Sequence, residues 1–99
     1  MKRTKIKEIL QKGKANETVV AKGWVRTKRG SKNVYFIALN DGSTIHNLQV
    51  VVDVTNFDET LLREINTGAA LSVTGILTES TGSGQNIELT AGQIELLGA

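Results

Sequence analysis

Positively charged side chains are concentrated in the first third of this 99-residue chain. Residues 1–32 contain eleven of the twelve Lys and Arg residues and only two acids, which leaves this segment a net charge of +9. Residues 33–99 contain one Arg and eight acids, for a net charge of −7. The densest cluster holds four cations within seven residues, in the predicted basic loop between the first two strands: Arg26, Lys28, Arg29 and Lys32. Such a cluster is typical of a surface that contacts nucleic-acid phosphates, although a solvated charged face has the same composition.

Two further side chains have the chemistry to contact nucleotide bases. Alternation along Val34–Leu39 divides that strand into two faces. The bulkier face, Tyr35, Ile37 and Leu39, is expected to form the core, which leaves Phe36 on the outer face. Alternation along Leu48–Val54 likewise turns Gln49 outward. On a shared outer face, Phe36 can stack on a base and Gln49 can hydrogen-bond to its edge. The alternatives are that Phe36 is a core residue and Gln49 an ordinary exposed side chain.

Catalytic and metal-binding chemistry has little support in the sequence. The chain has no Cys, and its one histidine, His46, has no second imidazole to complete a metal site. Asp41 belongs to a turn and Asp53 to the outer face of a strand, so they are not expected to form an acid/base pair. Gly82–Gly84 lacks the lysine of a phosphate-binding loop and is interpreted as part of a hairpin loop. We therefore expect no catalytic residue, no cofactor site and no metal site.

Five strands must position these side chains. Gly23 predicts a bend or bulge in the first strand, and the last strand is predicted to be interrupted near Gly92. Asn40–Ser43 predicts a turn, and Ser80–Gln85 predicts a polar loop. Trp24 lies an even number of residues from Lys22, which places it on the outward face by alternation. A large indole beside a glycine nevertheless favours the interpretation that Trp24 closes one end of a barrel. The predicted strands are Thr18–Thr27, Val34–Leu39, Leu48–Val54, Ala69–Leu77 and Asn86–Leu97.

Two short helices accompany the strands. The first is predicted to begin at a Thr4 cap and to end at Gly13, and the second to begin at an Asp58 cap and to end at Gly68. The order of three strands, a helix and two strands is that of the OB-fold, a five-stranded Greek-key barrel with a helix between its third and fourth strands. We therefore predict an all-β domain with short helices, although an SH3-like barrel or a β-sandwich also accommodates five strands in this length.

Length and composition indicate one globular domain over residues 1–99. Hydrophobic residues make up 39% of the chain, but no apolar run approaches the roughly 20 residues that a membrane helix needs. The basic start is not followed by an apolar signal segment, so we expect a cytoplasmic protein without a membrane partner.

Several motifs together resemble one known family, the N-terminal domain of asparaginyl-tRNA synthetases. Aspartyl- and lysyl-tRNA synthetases share the Gly-Trp-Val start at Gly23, but the turn after Leu39 and the Ser-Lys pair at Ser31 are similar to the asparaginyl branch. The similarity covers essentially the whole chain. Its segments are Arg3–Ile6, Gly23–Arg29, Ser31–Asn33, Phe36–Ile37, Leu39–Ser43, Leu48–Val51 and Thr74–Leu77.

The resemblance implies that residues 1–99 are an OB-fold anticodon-binding domain whose partner is the anticodon loop of a tRNA. By motif, Phe36 would stack on the middle base, a uridine, Gln49 would hydrogen-bond to that base, and Arg29 would contact the anticodon. Family members often have Asp where this chain has Gly30, a departure within the basic loop.

The resemblance also implies that the catalytic domain lies beyond Ala99. This fragment is then not an enzyme, whereas its parent is an asparagine–tRNA ligase that uses ATP and Mg and forms a homodimer. The alternative function is a stand-alone single-stranded nucleic-acid-binding protein, but such proteins spread several aromatics over the binding face, and only 4% of this chain is aromatic. A protein-docking module would leave the basic segment unexplained.

Overall fold

Five strands close into a barrel in the computed structural model, which describes residues 2–30, 32–79 and 87–98. Neighbours around the barrel follow the order β1-β2-β3-β5-β4, and every pair is antiparallel except β3 with β5. This is the predicted OB-fold barrel. The predicted loop Ser80–Gln85, which includes Gly82–Gly84, lies outside the described residues, as does Ser31. The strands are β1 (Thr18–Gly30), β2 (Val34–Asn40), β3 (Leu48–Asp53), β4 (Ala70–Glu79) and β5 (Ile87–Gly98).

The longest strand, β1, bends so that it pairs with two neighbours. Its first half pairs with β4 and its second half with β2, and Trp24 has a partner on both sides. The register with β2 shifts between Val25 and Thr27, so the bulge lies at Arg26 and not at Gly23 as predicted. Gly23 is still required, because a Cβ there would collide with the Asn40 carbonyl. The interruption predicted near Gly92 is a β-bulge within a continuous strand, since Gly92 is the extra residue opposite β4.

Alternation along the strands fills the barrel with aliphatic side chains. Leu48, Val50 and Val52 of β3 point inward and are fully buried, as the sequence predicts. Each such residue stabilises the fold by about 1.5–3 kcal/mol relative to leaving it exposed. The largest fully buried side chains are Ile6, Ile9, Val25, Ile37, Leu39, Leu48, Val50, Val52, Ile65, Leu71, Leu77 and Leu89.

The first helix, α1 (Ile6–Lys12), packs Ile6 and Ile9 into the core and ends at Gly13 as predicted. The predicted Thr4 cap is wrong, because the chain preceding the helix runs beside β1 and the Thr4 N–H donates to the Val20 carbonyl at 2.8 Å. The N-cap residue is Lys5, which makes no side-chain cap bond. Acceptors for the free N–H groups of α1 must therefore come from elsewhere in the chain.

A turn distant in sequence supplies those acceptors. Asp41 Oδ2 accepts the Ile6 N–H at 3.0 Å, and Ser43 Oγ accepts the Lys7 N–H at 3.0 Å. Buried Asn40 stabilises this turn. Its Oδ1 accepts the Gly42 N–H at 2.7 Å, and its side-chain Nδ2 donates to oxygen atoms of residues 44–47. The predicted Asn40–Ser43 turn is therefore also the N-terminal cap of α1.

The second helix, α2 (Glu59–Glu64), lies between β3 and β4 as predicted and follows a 3₁₀ turn at Val54–Asn56. Asp58 is its N-cap and accepts the Thr60 N–H at 3.3 Å, as the sequence indicates. Gly68 does not end the helix, which is already capped by Ile65. It has φ +92° in the turn that leads into β4, a conformation that favours glycine.

Neither α-helix in the described part of the chain has the length or apolar character that crossing a bilayer requires.

The ionisation of Asp41 contributes to stability. Burial alone would raise the pKa of Asp41, but hydrogen bonds from the Ser43 hydroxyl, the Ile6 N–H and the Ser43 N–H, together with nearby Arg3, outweigh it. The pKa of Asp41 in the folded protein is therefore below its ordinary value of 3.8. The stabilisation is fully present above that ordinary value and is lost as the pH falls through the lower folded pKa.

Replacing Asp41 by Ala should lower the free energy of unfolding by about 1–2 kcal/mol at neutral pH, because α1 loses its cap. The difference between wild type and Asp41→Ala should shrink as the pH is lowered from about 5 to about 2. Urea unfolding at a series of pH values measures both effects. Glu64→Gln, which removes an exposed carboxylate from α2, is the control for loss of one charge. A difference between wild type and Asp41→Ala that stays constant with pH would contradict this assignment.

Candidate nucleic-acid interface

Phe36 lies on the outer face of the barrel, as predicted. It is half-buried, whereas its neighbour Ile37 is 1% exposed and belongs to the core. Across the sheet Phe36 pairs with Arg29 on β1 and with Val51 on β3. Because directly paired residues project to the same face, the Arg29 guanidinium and the Phe36 ring are presented side by side. An aromatic ring beside a cation suits a base and its phosphate.

Gln49 shares this face. It pairs with Ala38, two residues along β2 from Phe36, so Phe36 and Gln49 are diagonal neighbours on adjacent strands. The Gln49 amide Nε2 donates to the Glu88 carboxylate on β5. A negative charge at this point disfavours a phosphate beside Gln49 and leaves a base edge as the better match.

Glu88 was not identified from the sequence. It reaches Gln49 because β3 and β5 pair in parallel, with Val50 opposite Leu89. Parallel pairing between segments about forty residues apart has no local sequence signal. Only the closed barrel brings the carboxylate to the amide.

The four cations predicted to form a loop are mostly in a strand. Arg26, Lys28 and Arg29 belong to β1, and only Lys32 lies in the connection to β2. The prediction was wrong because β1 continues three residues beyond Thr27, held by cross-strand pairing with β2. Alternation in a strand then separates cations that a loop would group.

Lys28 points away from Arg29. It pairs with inward-facing Ile37, and its Nζ donates to the Leu62 carbonyl at 2.8 Å and lies 4.5 Å from the centre of the Tyr35 ring. These contacts tie β1 to α2 and give Lys28 a structural function. Lys28 also lines a cleft beside α2 together with Lys32 and Arg63.

The acidic residues and the histidine considered for catalysis are dispersed. Asp53 Oδ1 accepts from the Thr55 hydroxyl at 2.7 Å and from the Thr55 N–H at 3.0 Å, and these bonds lower the pKa of Asp53. Asp41 caps α1. His46 is exposed, and its backbone carbonyl accepts a hydrogen bond from the Asn40 side-chain amide. Within residues 2–30, 32–79 and 87–98, no three side chains of the metal-binding types lie together.

Trp24 does not close the end of the barrel as predicted. Its side chain is 39% exposed on the outer face, beside Gly42. The end of the barrel near this point is instead closed by α1, whose Ile6 and Ile9 are buried.

Comparison with known proteins gives a consistent pattern. Residues 19–97 match the tRNA anti-codon family, described as an OB-fold nucleic acid binding domain. The chain is 60% identical over 96 residues to asparagine–tRNA ligases of Bacteroides fragilis and Phocaeicola vulgatus, a match to 97% of this chain and 21% of each relative. The chain thus spans about a fifth of the length of these curated relatives.

Among solved structures, asparaginyl-tRNA synthetase from Pyrococcus horikoshii superposes with a TM-score of 0.82. The match covers 99% of this chain and 23% of that one at 18% sequence identity, and it establishes the fold.

The outward position of Phe36 predicts unequal effects of truncating two adjacent residues. Phe36→Ala should lower the free energy of unfolding by only about 1 kcal/mol, the typical cost of a substitution outside the core. Ile37→Ala should lower it by about 2–5 kcal/mol, because it leaves a cavity inside the barrel. Thermal or urea unfolding of both variants measures the contrast. Equal losses would mean that the Phe36 ring is part of the core.

Proposed function

The chain belongs to the tRNA anti-codon family of OB-fold nucleic acid binding domains, and we propose that it binds the anticodon loop of a tRNA as a domain of an asparagine–tRNA ligase. The observation that carries this proposal is the outer-face cluster of Arg29, Phe36 and Gln49 on three adjacent strands. It offers a cation, a stacking surface and a hydrogen-bonding amide within reach of one nucleotide.

Each side chain of the cluster has a separate task in the proposal. Phe36 stacks on the middle anticodon base and supplies affinity that does not depend on base identity. Gln49, oriented by Glu88, hydrogen-bonds to the edge of that base and discriminates uridine from cytidine. Arg29 contacts the adjacent phosphate, and Arg26 and Lys32 extend the positive surface along β1 and its connection to β2.

The activity of a longer parent protein is part of the same proposal. Relatives named asparagine–tRNA ligase support a parent enzyme that joins asparagine to tRNA. By the family resemblance, this parent would act in the cytoplasm with ATP and Mg, as a homodimer. The present domain would contribute tRNA recognition to protein biosynthesis and no step of the chemistry. An isolated single-strand binder is the competing function, and base discrimination separates the two, because stacking alone tolerates any base.

Anticodon stem-loops that differ only in the middle base test this proposal. Wild type should bind the U form more tightly than the C form, and Gln49→Ala should bind both forms about equally, because the lost hydrogen bonds provided the discrimination. Phe36→Ala should weaken binding of both forms by about 1–3 kcal/mol, roughly ten- to a hundredfold. Fluorescence anisotropy with labelled stem-loops measures these affinities.

Thr90→Ala, on the same row of the outer face as Phe36, is the matched control and should change neither affinity nor discrimination by more than a few-fold. Equal affinity of the wild type for the U and C forms would refute the anticodon-reading role of Gln49.

The salt dependence of binding tests the phosphate contacts. Arg29→Gln and Lys32→Gln should each reduce the slope of log affinity against log salt by about one unit. Lys28→Gln should reduce the slope less, because its ammonium group is held at Leu62 and Tyr35 on the other side of the sheet. Titrations at several salt concentrations give the slopes. Binding independent of salt would exclude a phosphate-based interface.

A further inference from the structure

The outer face that carries Phe36 continues along β1 to Trp24. Between the two aromatics the outward cross-strand pair is Thr27 with Ala38, both small side chains. Trp24 pairs with Asn40, four residues along β2 from Phe36, so the two positions are roughly 13 Å apart along the strand at about 3.3 Å per residue.

The surroundings of Trp24 suit a nucleotide. Its exposed indole forms one wall of a cleft that is also lined by Arg3, Lys22, Asp41 and Leu97. The two cations are exposed, whereas both oxygens of the Asp41 carboxylate already accept hydrogen bonds from α1 and from Ser43. A flat aromatic surface beside two cations can stack a base while the cations neutralise its phosphates.

The bulge at Arg26 strengthens this connection. It inserts an exposed cation between Trp24 and Thr27 on the path between the two aromatics. A strand of nucleotides that followed this path would meet positive side chains at both ends and in the middle: Arg29, Arg26, Lys22 and Arg3.

We infer that Trp24 is a second stacking position, on which a base of the bound RNA other than the one on Phe36 lies, with Arg3 and Lys22 contacting the neighbouring phosphates. This inference rests on the proposed function, because it requires RNA on the Phe36 face. A protein partner on the apolar Trp24 and Leu97 side chains is the competing occupant, and the cations around the indole favour RNA.

The chain contains a single tryptophan, so its fluorescence reports on this position alone. Saturating wild type with an anticodon stem-loop that has U at the middle position should quench the emission, because direct contact with a stacked base quenches the excited indole. A series of stem-loops, each lacking one loop base, should then identify the base involved. Removal of that base should restore the emission and weaken binding about tenfold, while removal of the middle base should leave the quenching in place at saturation.

Substitutions provide the second measurement. Trp24→Ala should weaken stem-loop binding about tenfold, and the affinity of this variant should not fall further when the identified base is also removed. Trp24→Phe should retain most of the affinity because its ring still stacks. Ile45→Ala, which removes an apolar side chain that is 91% exposed, is the control and should bind as wild type does. Lys22→Gln, which leaves the indole in place, should weaken binding and lower the salt slope by about one unit even if Trp24→Ala folds poorly.

The outcomes separate this inference from the proposed function. If Phe36→Ala weakens binding while Trp24 emission and the affinity of Trp24→Ala stay unchanged, the second stacking position is refuted and the proposed function stands. If the wild type binds no stem-loop, both are refuted. If Trp24 emission changes with protein concentration in the absence of RNA, the surface is a protein contact and the inference is overturned.

Discussion

The pairing of β1 with both β4 and β2 is the constraint on which the rest of the structure depends. A single strand of thirteen residues closes the barrel because it bends, and the bend needs a glycine where the Asn40 carbonyl approaches and a bulge at Arg26. Closure buries the inward side chains of all five strands in one core. It also removes the free sheet edges, which would otherwise pair with other chains.

The same pairing determines which chemistry faces outward. Because register across β1, β2, β3 and β5 is continuous, the outward residues Arg29, Phe36, Val51 and Thr90 form one row. A slip of one residue in any strand would exchange the inner and outer sets. The aliphatic side chains of Ile37 and Leu39, which are buried on the opposite face of β2, make such a slip costly. Core packing therefore also positions the candidate RNA-binding residues.

Charge is distributed over this framework in a way that the linear sequence only outlines. The basic N-terminal segment divides between two sides of the sheet, with Arg29 beside Phe36 and Lys28 against α2. The acidic C-terminal part places one carboxylate, Glu88, beside Gln49. A purely positive surface would bind any nucleic acid, whereas a carboxylate beside Gln49 limits what can lie there. The mixture suits recognition of bases more than general phosphate binding.

By itself the sequence determined the succession of strands and helices along the chain and the inward and outward sets of β2 and β3. The outward position of Phe36 and Gln49 follows from those sets. These follow from alternation with period two, which is a local property of the chain. The Asp58 cap is local as well and was predicted correctly, and the interruption predicted near Gly92 is a bulge in the structure.

Only the tertiary structure decided the features that need partners distant in sequence. Thr4 is not the cap of α1 because Asp41 and Ser43, brought there by barrel closure, supply the acceptors. Three of the four clustered cations are in a strand because pairing with β2 extends β1 to Gly30, and Lys28 then points to the opposite side of the sheet from Arg29. The contact of Glu88 with Gln49 has the same origin, as does the exposure of Trp24 while α1 closes the nearby end of the barrel. These features depend on which strands become neighbours, and no short-range sequence pattern predicts that pairing.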